Sequence, residues 1–333
     1  MHSVSTDKRV SRVTYNIGGL LTEIVYPEQL LIPERLKSFK PFIDKTEEEI
    51  TTGNAPRCKT AARIVMKEAE TLNRQNSLSS PFLLSTFETE SGVCSLYREE
   101  IPAYGGGTGN ESNTGYLFIT NHKDTEKENR SGIRVTMNRE NKDVICEYKE
   151  QLSYANLVFS LWMIYAFGAI KSQTVPIHSS AVISDGKAVL FLGESGTGKS
   201  TQASFWMDKI TGTIPLNDDS PVVTLSDRGE VYTCGSPWSG KGKIYINKKY
   251  PVAAFVRIEQ HSGEEIVRMG KLEAFAALYP SFPPQFIKDE WFEDKACAMI
   301  SEIIKAVPIY RLRCRAVPES AILAHSVIFE NKD

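Results

Sequence analysis

Apolar and polar positions change rhythm several times along the chain. From residue 12 to 26, RVTYNIGGLLTEIVY gathers β-branched and apolar residues on both sides of Gly18-Gly19, which predicts two short strands joined by a turn. Residues 29 to 43 mix apolar positions with Pro33 and Pro41 and predict an irregular segment. KTAARIVMKEAETLNRQ, at 59 to 75, is polar and helix-compatible. The stretches PFLLSTFETE, GYLFITNH, GIRVTMN and DVICEY then place β-branched and aromatic residues at strand length between polar turns, predicting an antiparallel sheet. ANLVFSLWMIYAFGAI, at 155 to 170, is apolar but broken by Asn156 and Ser160, and falls short of the ~20 residues needed to span a bilayer. It predicts a buried helix and no membrane partner.

After that helix the pattern shifts again. VPIHSSAVISDGKAVLFLG predicts a strand, a turn at Asp185-Gly186 and a second apolar strand, which runs directly into GESGTGKS; KSTQASFWMDKI then reads as a helix. A chain of 333 residues is long for one core and comfortable for two. The expected fold is therefore mixed, α/β and α+β. A smaller α+β module with an antiparallel sheet, 1–150, precedes a second domain, 151–333, that carries the glycine loop.

Charge and cysteine content narrow the function classes. With 39 basic and 41 acidic residues the net charge is −2, so the chain as a whole exerts no pull on nucleic acid or an anionic membrane. Any polyanion must be held locally. Basic residues interleaved with stacking aromatics, the pattern for single-stranded nucleic acid, are not seen. Six cysteines without a CxxC pair suit free thiols in a reducing cytoplasm, and the polar start MHSVSTDKRV lacks the apolar stretch of a secretory signal. YGGGTGNESNTGY at 104 to 116 and KDTEKENRSG at 123 to 132 read as solvated surface loops, since no helix follows the glycines to supply a phosphate-binding end.

The residues 193 to 200, between an apolar strand and a helix, form a phosphate-binding loop pattern in the context that such a loop requires. Its glycines let successive N–H groups turn inward toward phosphate oxygens, and the helix N-terminus adds a favourable dipole. Gly193, Ser195, Gly196, Thr197, Gly198, Lys199, Ser200 and Thr201 are the expected nucleotide-binding residues; Lys199 would lie against the β- and γ-phosphates and the Ser200 hydroxyl would ligate Mg²⁺. The next strand-like stretch, TIPLNDDSPVVTL, carries Asp218-Asp219, and two adjacent acids near one phosphate site suggest one on metal and one as base. If the strands flanking Asp185-Gly186 pair, His178 returns to the loop's end of the sheet, where it could orient an aspartate or ligate metal.

IHSSAVISDGKAVLFLGESGTGKST followed by LNDDSPVV resembles the core of the HPr kinase/phosphorylase family, whose catalytic domain is similar to that of ATP-dependent phosphoenolpyruvate carboxykinase. The resemblance covers roughly 176 to 260, and VPIYRLRCRAVPESA resembles the closing strand and helix of such proteins. It implies His178 supporting the base, Lys199 and Ser200 holding phosphate and metal, Asp218 as general base and Asp219 as metal ligand. The stretch CGSPWSGKGKIYI contains the PWSGK that HPr-kinase-like proteins often carry, and makes Lys241 a candidate substrate-binding residue. Arg257, an isolated charge in the apolar VAAFVRIEQ, is a second one. Arg311, Arg313 and Arg315 alternate with Leu312 and Cys314 and read as the solvated face of a strand. The expectation is a cytoplasmic kinase using ATP and Mg²⁺ and transferring a phosphoryl group to a hydroxyl, a serine of a protein or peptide foremost. The alternatives are a small-molecule kinase and a nucleotide-binding regulatory module without turnover; the oligomeric state stays open.

Overall fold

In the computed structural model, the described residues are 9–44, 59–69, 81–89, 92–102, 112–122, 131–140, 142–150 and 152–330. The N-terminal stretch before residue 9 and most of the two polar loops, 104–111 and 123–130, lie outside them. Two compact units emerge, Met1–Gly168 and Ala169–Asp333. They are nearly equal in length, and the apolar helix falls almost wholly in the first, where the sequence placed it at the head of the second.

Among the described residues, the first unit is an eight-stranded sheet. Its strands are β1 (Val10–Ile17), β2 (Leu20–Pro27), β3 (Lys59–Glu68), β4 (Phe82–Thr89), β5 (Gly92–Pro102), β6 (Ser112–His122), β7 (Ser131–Asn138) and β8 (Asp143–Glu150), in the order β1-β2-β3-β8-β7-β6-β5-β4. The strands from β4 to β8 pair antiparallel as expected, but β3 runs parallel to both β2 and β8, so the sheet is mixed. The expected helix over 59–75 is thus a strand in its described part. Its Ala, Glu, Lys and Arg content favours helix locally, but Ile64 and Met66 alternate with exposed Arg63, Val65 and Lys67, and two flanking strands satisfy its backbone. Tertiary pairing outweighs a propensity of tenths of a kcal/mol per residue.

Helix α1 (Tyr154–Ala169) lies on the inner face of this sheet. Phe167 packs on Tyr116 at 4.7 Å, Phe159 on Phe118 at 5.9 Å, and the buried Tyr165 hydroxyl donates to Ile17 O at 2.8 Å. Gly168 is required here, since an added Cβ would run into the Ala61 carbonyl. By length and composition the helical stretch Tyr154–Ser172 could cross a membrane; 67% of its most apolar window is buried inside the protein. A helix that is apolar all round suits such a core position.

The second unit holds β9 (Thr174–Pro176), β10 (Ser180–Ser184), β11 (Lys187–Leu192), β12 (Ile214–Asn217), β13 (Val222–Leu225), β14 (Val231–Cys234), β15 (Lys249–Gln260), β16 (Glu265–Arg268) and β17 (Ile309–Cys314). The β10–β11 hairpin turns at Asp185-Gly186, both with positive φ, and pairs Ser180 with Phe191. β11, β15 and β17 are mutually parallel neighbours, so their C-terminal ends open on one edge, where ligands of α/β sheets are held. Helix α2 (Lys199–Lys209) covers the sheet through Trp206, fully buried and edge-on to Phe191 at 5.7 Å. Three further helices, α3 (Lys271–Leu278), α4 (Glu290–Ala306) and α5 (Glu319–His325), complete the unit. Leu312 and Cys314 point inward from β17 while Arg311, Arg313 and Arg315 pair outside with Glu273, Glu259 and Glu264. That is the solvated face read from the alternation.

Candidate active site

The site grows from the junction of β11 and α2. The last apolar residue of β11, Leu192, leads into a loop in which Gly193, Gly196 and Gly198 all have positive φ. Gly193 has no substitute, because a Cβ there would collide with the Thr197 hydroxyl, which donates to Glu194 O at 2.9 Å and closes the loop. α2 starts at Gly198 with no side-chain cap, so its first N–H groups and its positive dipole end are left for a ligand. Ser195, Ser200 and Thr201 are exposed at this mouth. Lys199 is largely buried and bends back on the loop: Nζ donates to Gly193 O at 2.7 Å and Glu194 O at 3.0 Å.

The same ammonium stands 3.1 Å from His178 Nε2. His178 is brought here by the β10–β11 hairpin and held by its own N–H, which donates to Ser281 O at 2.9 Å. Its other nitrogen, Nδ1, lies 3.5 Å from Asp219 Oδ1. Lys199, His178 and Asp219 thus form a chain across the loop mouth. Burial pushes the His178 imidazole below its ordinary value, and the Lys199 charge adds to this against the pull of Asp219. Burial pushes the Asp219 carboxyl upward, with His178 opposing and Asp218 reinforcing. Nearly half of each side chain remains open to solvent, which moderates both shifts. Lys199 is lowered first by burial, with Asp219 opposing and Arg257 reinforcing.

Asp218 faces elsewhere. Its Oδ1 accepts from the Ser239 hydroxyl and from Gly240 N at 2.8 Å, and its Oδ2 from Gly242 N at 2.6 Å. In the turn after β12 the two carboxylates therefore divide, Asp218 to the loop 239–242 and Asp219 to His178 beside the glycine loop. Three donors hold the Asp218 carboxylate to the first of these, whereas the resemblance implied a base facing the acceptor.

One organising residue carries no motif of its own. Asn217, 1% exposed at the end of β12, accepts from Asp219 N at 3.0 Å and Ser220 N at 2.7 Å through Oδ1. Its Nδ2 reaches Ser236 O at 3.3 Å and Trp238 O at 3.2 Å. It therefore shapes the Asp218-Asp219 turn and ties it to the following loop. The signal available in sequence was an Asn ahead of Asp-Asp-Ser-Pro, where Asx turns form.

Arg257 joins the site through parallel register. It pairs with Leu192 across β15 and β11, and its guanidinium is 3.9 Å from Glu194 of the loop. With Glu194, Ser195, Gly196, Thr197 and Glu259 it lines an open cleft of about 430 Å³. A second cleft of about 440 Å³ adjoins it, sharing Gly196, Thr197 and Gln260 and lined further by Gly198, Thr201, Gln202, His261 and Arg315. Lys241 is exposed on the loop held by Asp218. Among the described residues, no three His, Cys, Asp or Glu side chains gather as a metal cage.

Compared with known proteins, residues 144–318 match the family described as SynChlorMet cassette protein ScmC, just over half of the chain. No curated protein matches.

Proposed function

The chain belongs to the ScmC family, and from the chemistry of its glycine loop we propose that it is an ATP- and Mg²⁺-dependent phosphotransferase of the HPr-kinase-like type, with a carboxykinase-like phosphate-loop unit, acting in the cytoplasm on a serine hydroxyl of a protein or peptide. The observation that carries this reading is the convergence of Lys199, His178 and Asp219 at the mouth of the glycine loop. A carboxylate and an imidazole in line with the loop lysine supply the groups that transfer of the acceptor's proton needs.

The donors fit Mg²⁺ delivered with ATP. That ion fills most of its octahedron with phosphate oxygens and water, so the Ser200 hydroxyl would be its direct protein ligand and Asp219 stays free to take a proton. When bound it neutralises charge on the β- and γ-phosphates. On nucleotide binding, Lys199 exchanges the carbonyls of Gly193 and Glu194 for phosphate oxygens, and Arg257 adds a second positive charge beside the loop. The acceptor oxygen then bonds to the γ-phosphorus, the bond to the bridging oxygen breaks, ADP leaves, and the acceptor proton passes to a carboxylate. We assign that carboxylate to Asp219, steadied by His178, and give Asp218 the task of holding the loop 239–242. The cleft at Gln202, Gln260 and His261 suits the nucleoside end.

Calorimetry of Mg·ATP binding, paired with single-turnover transfer or ATP hydrolysis, tests the reading. Asp219→Asn is expected to lower turnover by about 10² to 10⁴. Absence of turnover in the wild-type protein with peptide, protein and small-molecule acceptors, at full Mg·ATP binding, would favour the regulatory binding module.

A further inference from the structure

We infer that an acidic segment of a polypeptide docks at the loop 239–249 as the acceptor of this site, an inference that rests on the kinase reading above. From Val231 to Ile258 the chain carries Lys241, Lys243, Lys248, Lys249 and Arg257 and not one aspartate or glutamate. The structure brings this basic stretch to the reaction centre through Asp218, which binds Gly240 N and Gly242 N on either side of Lys241. The neighbouring carboxylate, Asp219, is the one beside His178.

These lysines differ from the three arginines along and just after β17. Arg311, Arg313 and Arg315 each have a glutamate partner. The ammonium groups of Lys241, Lys243 and Lys248 are exposed and, among the described residues, have no carboxylate partner. Lys249 lies over the Tyr232 ring at 4.4 Å. The nucleotide does not require them, because Lys199 and Arg257 already stand at the phosphate loop. Like charges set side by side without partners favour an anionic ligand.

The chemistry of the loop selects among anions. Its Trp238 is buried and Tyr245 and Tyr250 are half-buried, so the stretch offers cations more openly than ring faces, and single-stranded nucleic acid is the rival ligand for the competition below. Exposed ion pairs contribute little one at a time. Recognition by three separate lysines therefore needs several carboxylates in one ligand, which a Glu- or Asp-rich peptide supplies around its serine.

The test uses the full chain and three fluorescein-labelled peptides with one central serine, flanked by Glu and Asp, by Gln and Ala, or by Lys. Anisotropy without nucleotide gives their affinities, and a single-stranded oligonucleotide of equal charge serves as competitor. The acidic peptide is expected to bind about tenfold tighter than the neutral one and to weaken with salt. Replacing Lys241, Lys243 and Lys248 together by Gln should erase that preference while Mg·ATP affinity stays as a control of folding. Equal affinity for the three peptides, tighter binding of the oligonucleotide, or loss of Mg·ATP affinity in the triple variant would each overturn the proposal. Acidic preference in binding without phosphoryl transfer to any peptide would uphold the docking and fail only the kinase reading.

Discussion

Lys199 Nζ lies 3.1 Å from His178 Nε2, linking the first residue of α2 to the segment just ahead of β10. The ammonium is held there by two loop carbonyls as well, so it is already desolvated and positioned when a phosphate arrives. Preorganisation of this kind reduces what binding must spend on ordering a long side chain. Lys199→Ala is expected to weaken ATP binding by about 10- to 100-fold, the worth of one or two charge-assisted hydrogen bonds. Circular dichroism should remain that of the folded protein. Wild-type affinity by calorimetry would remove the phosphate-loop assignment.

The role given to Asp218 is checked by hydrogen exchange. Asp218→Asn keeps the shape but replaces one acceptor oxygen by a donor, so one of the two amides, Gly240 or Gly242, should exchange at least about tenfold faster. Mg·ATP affinity should change by less than about threefold, since the side chain faces away from Lys199. Unchanged protection of both glycines would return Asp218 to the role of base.

Stability of the second unit should depend strongly on Asn217. Asn217→Ala strips acceptors from the N–H groups of Asp219 and Ser220 and donors from the carbonyls of Ser236 and Trp238, all at a buried position. Each buried group left unpaired costs about 1–3 kcal/mol, so a loss of about 2–4 kcal/mol is expected after relaxation. Thermal unfolding should report a Tm lower by roughly 5–15 °C. A shift below about 2 °C would mean that water replaces the side chain without penalty.

The pH dependence of transfer follows from the two shifted groups. His178 is lowered, so it is neutral at and above the ordinary imidazole value; Asp219 is raised, so it becomes an anion at a higher pH than a free aspartate. Turnover should therefore rise with pH along a limb above the ordinary carboxylate value of about 4 and level off by about pH 6.5. For stability the signs oppose. A depressed imidazole makes folding weaker as the pH falls below about 6.5, and a raised carboxyl makes it weaker as the pH rises through its folded value. His178→Gln should remove the first dependence and leave the second, measured by chemical denaturation between about pH 4 and pH 8. Turnover still rising steeply above about pH 7.5 would point to a different base.

The glycine loop and its strand and helix were legible because all three are contiguous and each is specified by local chemistry: an apolar run, glycines with positive φ, and an uncapped helix start. The hairpin at Asp185-Gly186 was legible for the same reason, and it carried His178 to the loop. Local preference misled at β3, where a helix-favouring composition was overruled by two flanking strands, and β5 was absent from the strands the pattern predicted. What the tertiary structure alone decided are relations between distant segments. Arg257 reaches the loop because β15 lies parallel to β11, a pairing between residues far apart in the chain that no local signal encodes. The separation of Asp218 from Asp219 is also tertiary: adjacent acids look identical in a sequence, and only the loop 239–242 on one side and His178 on the other gave them different partners.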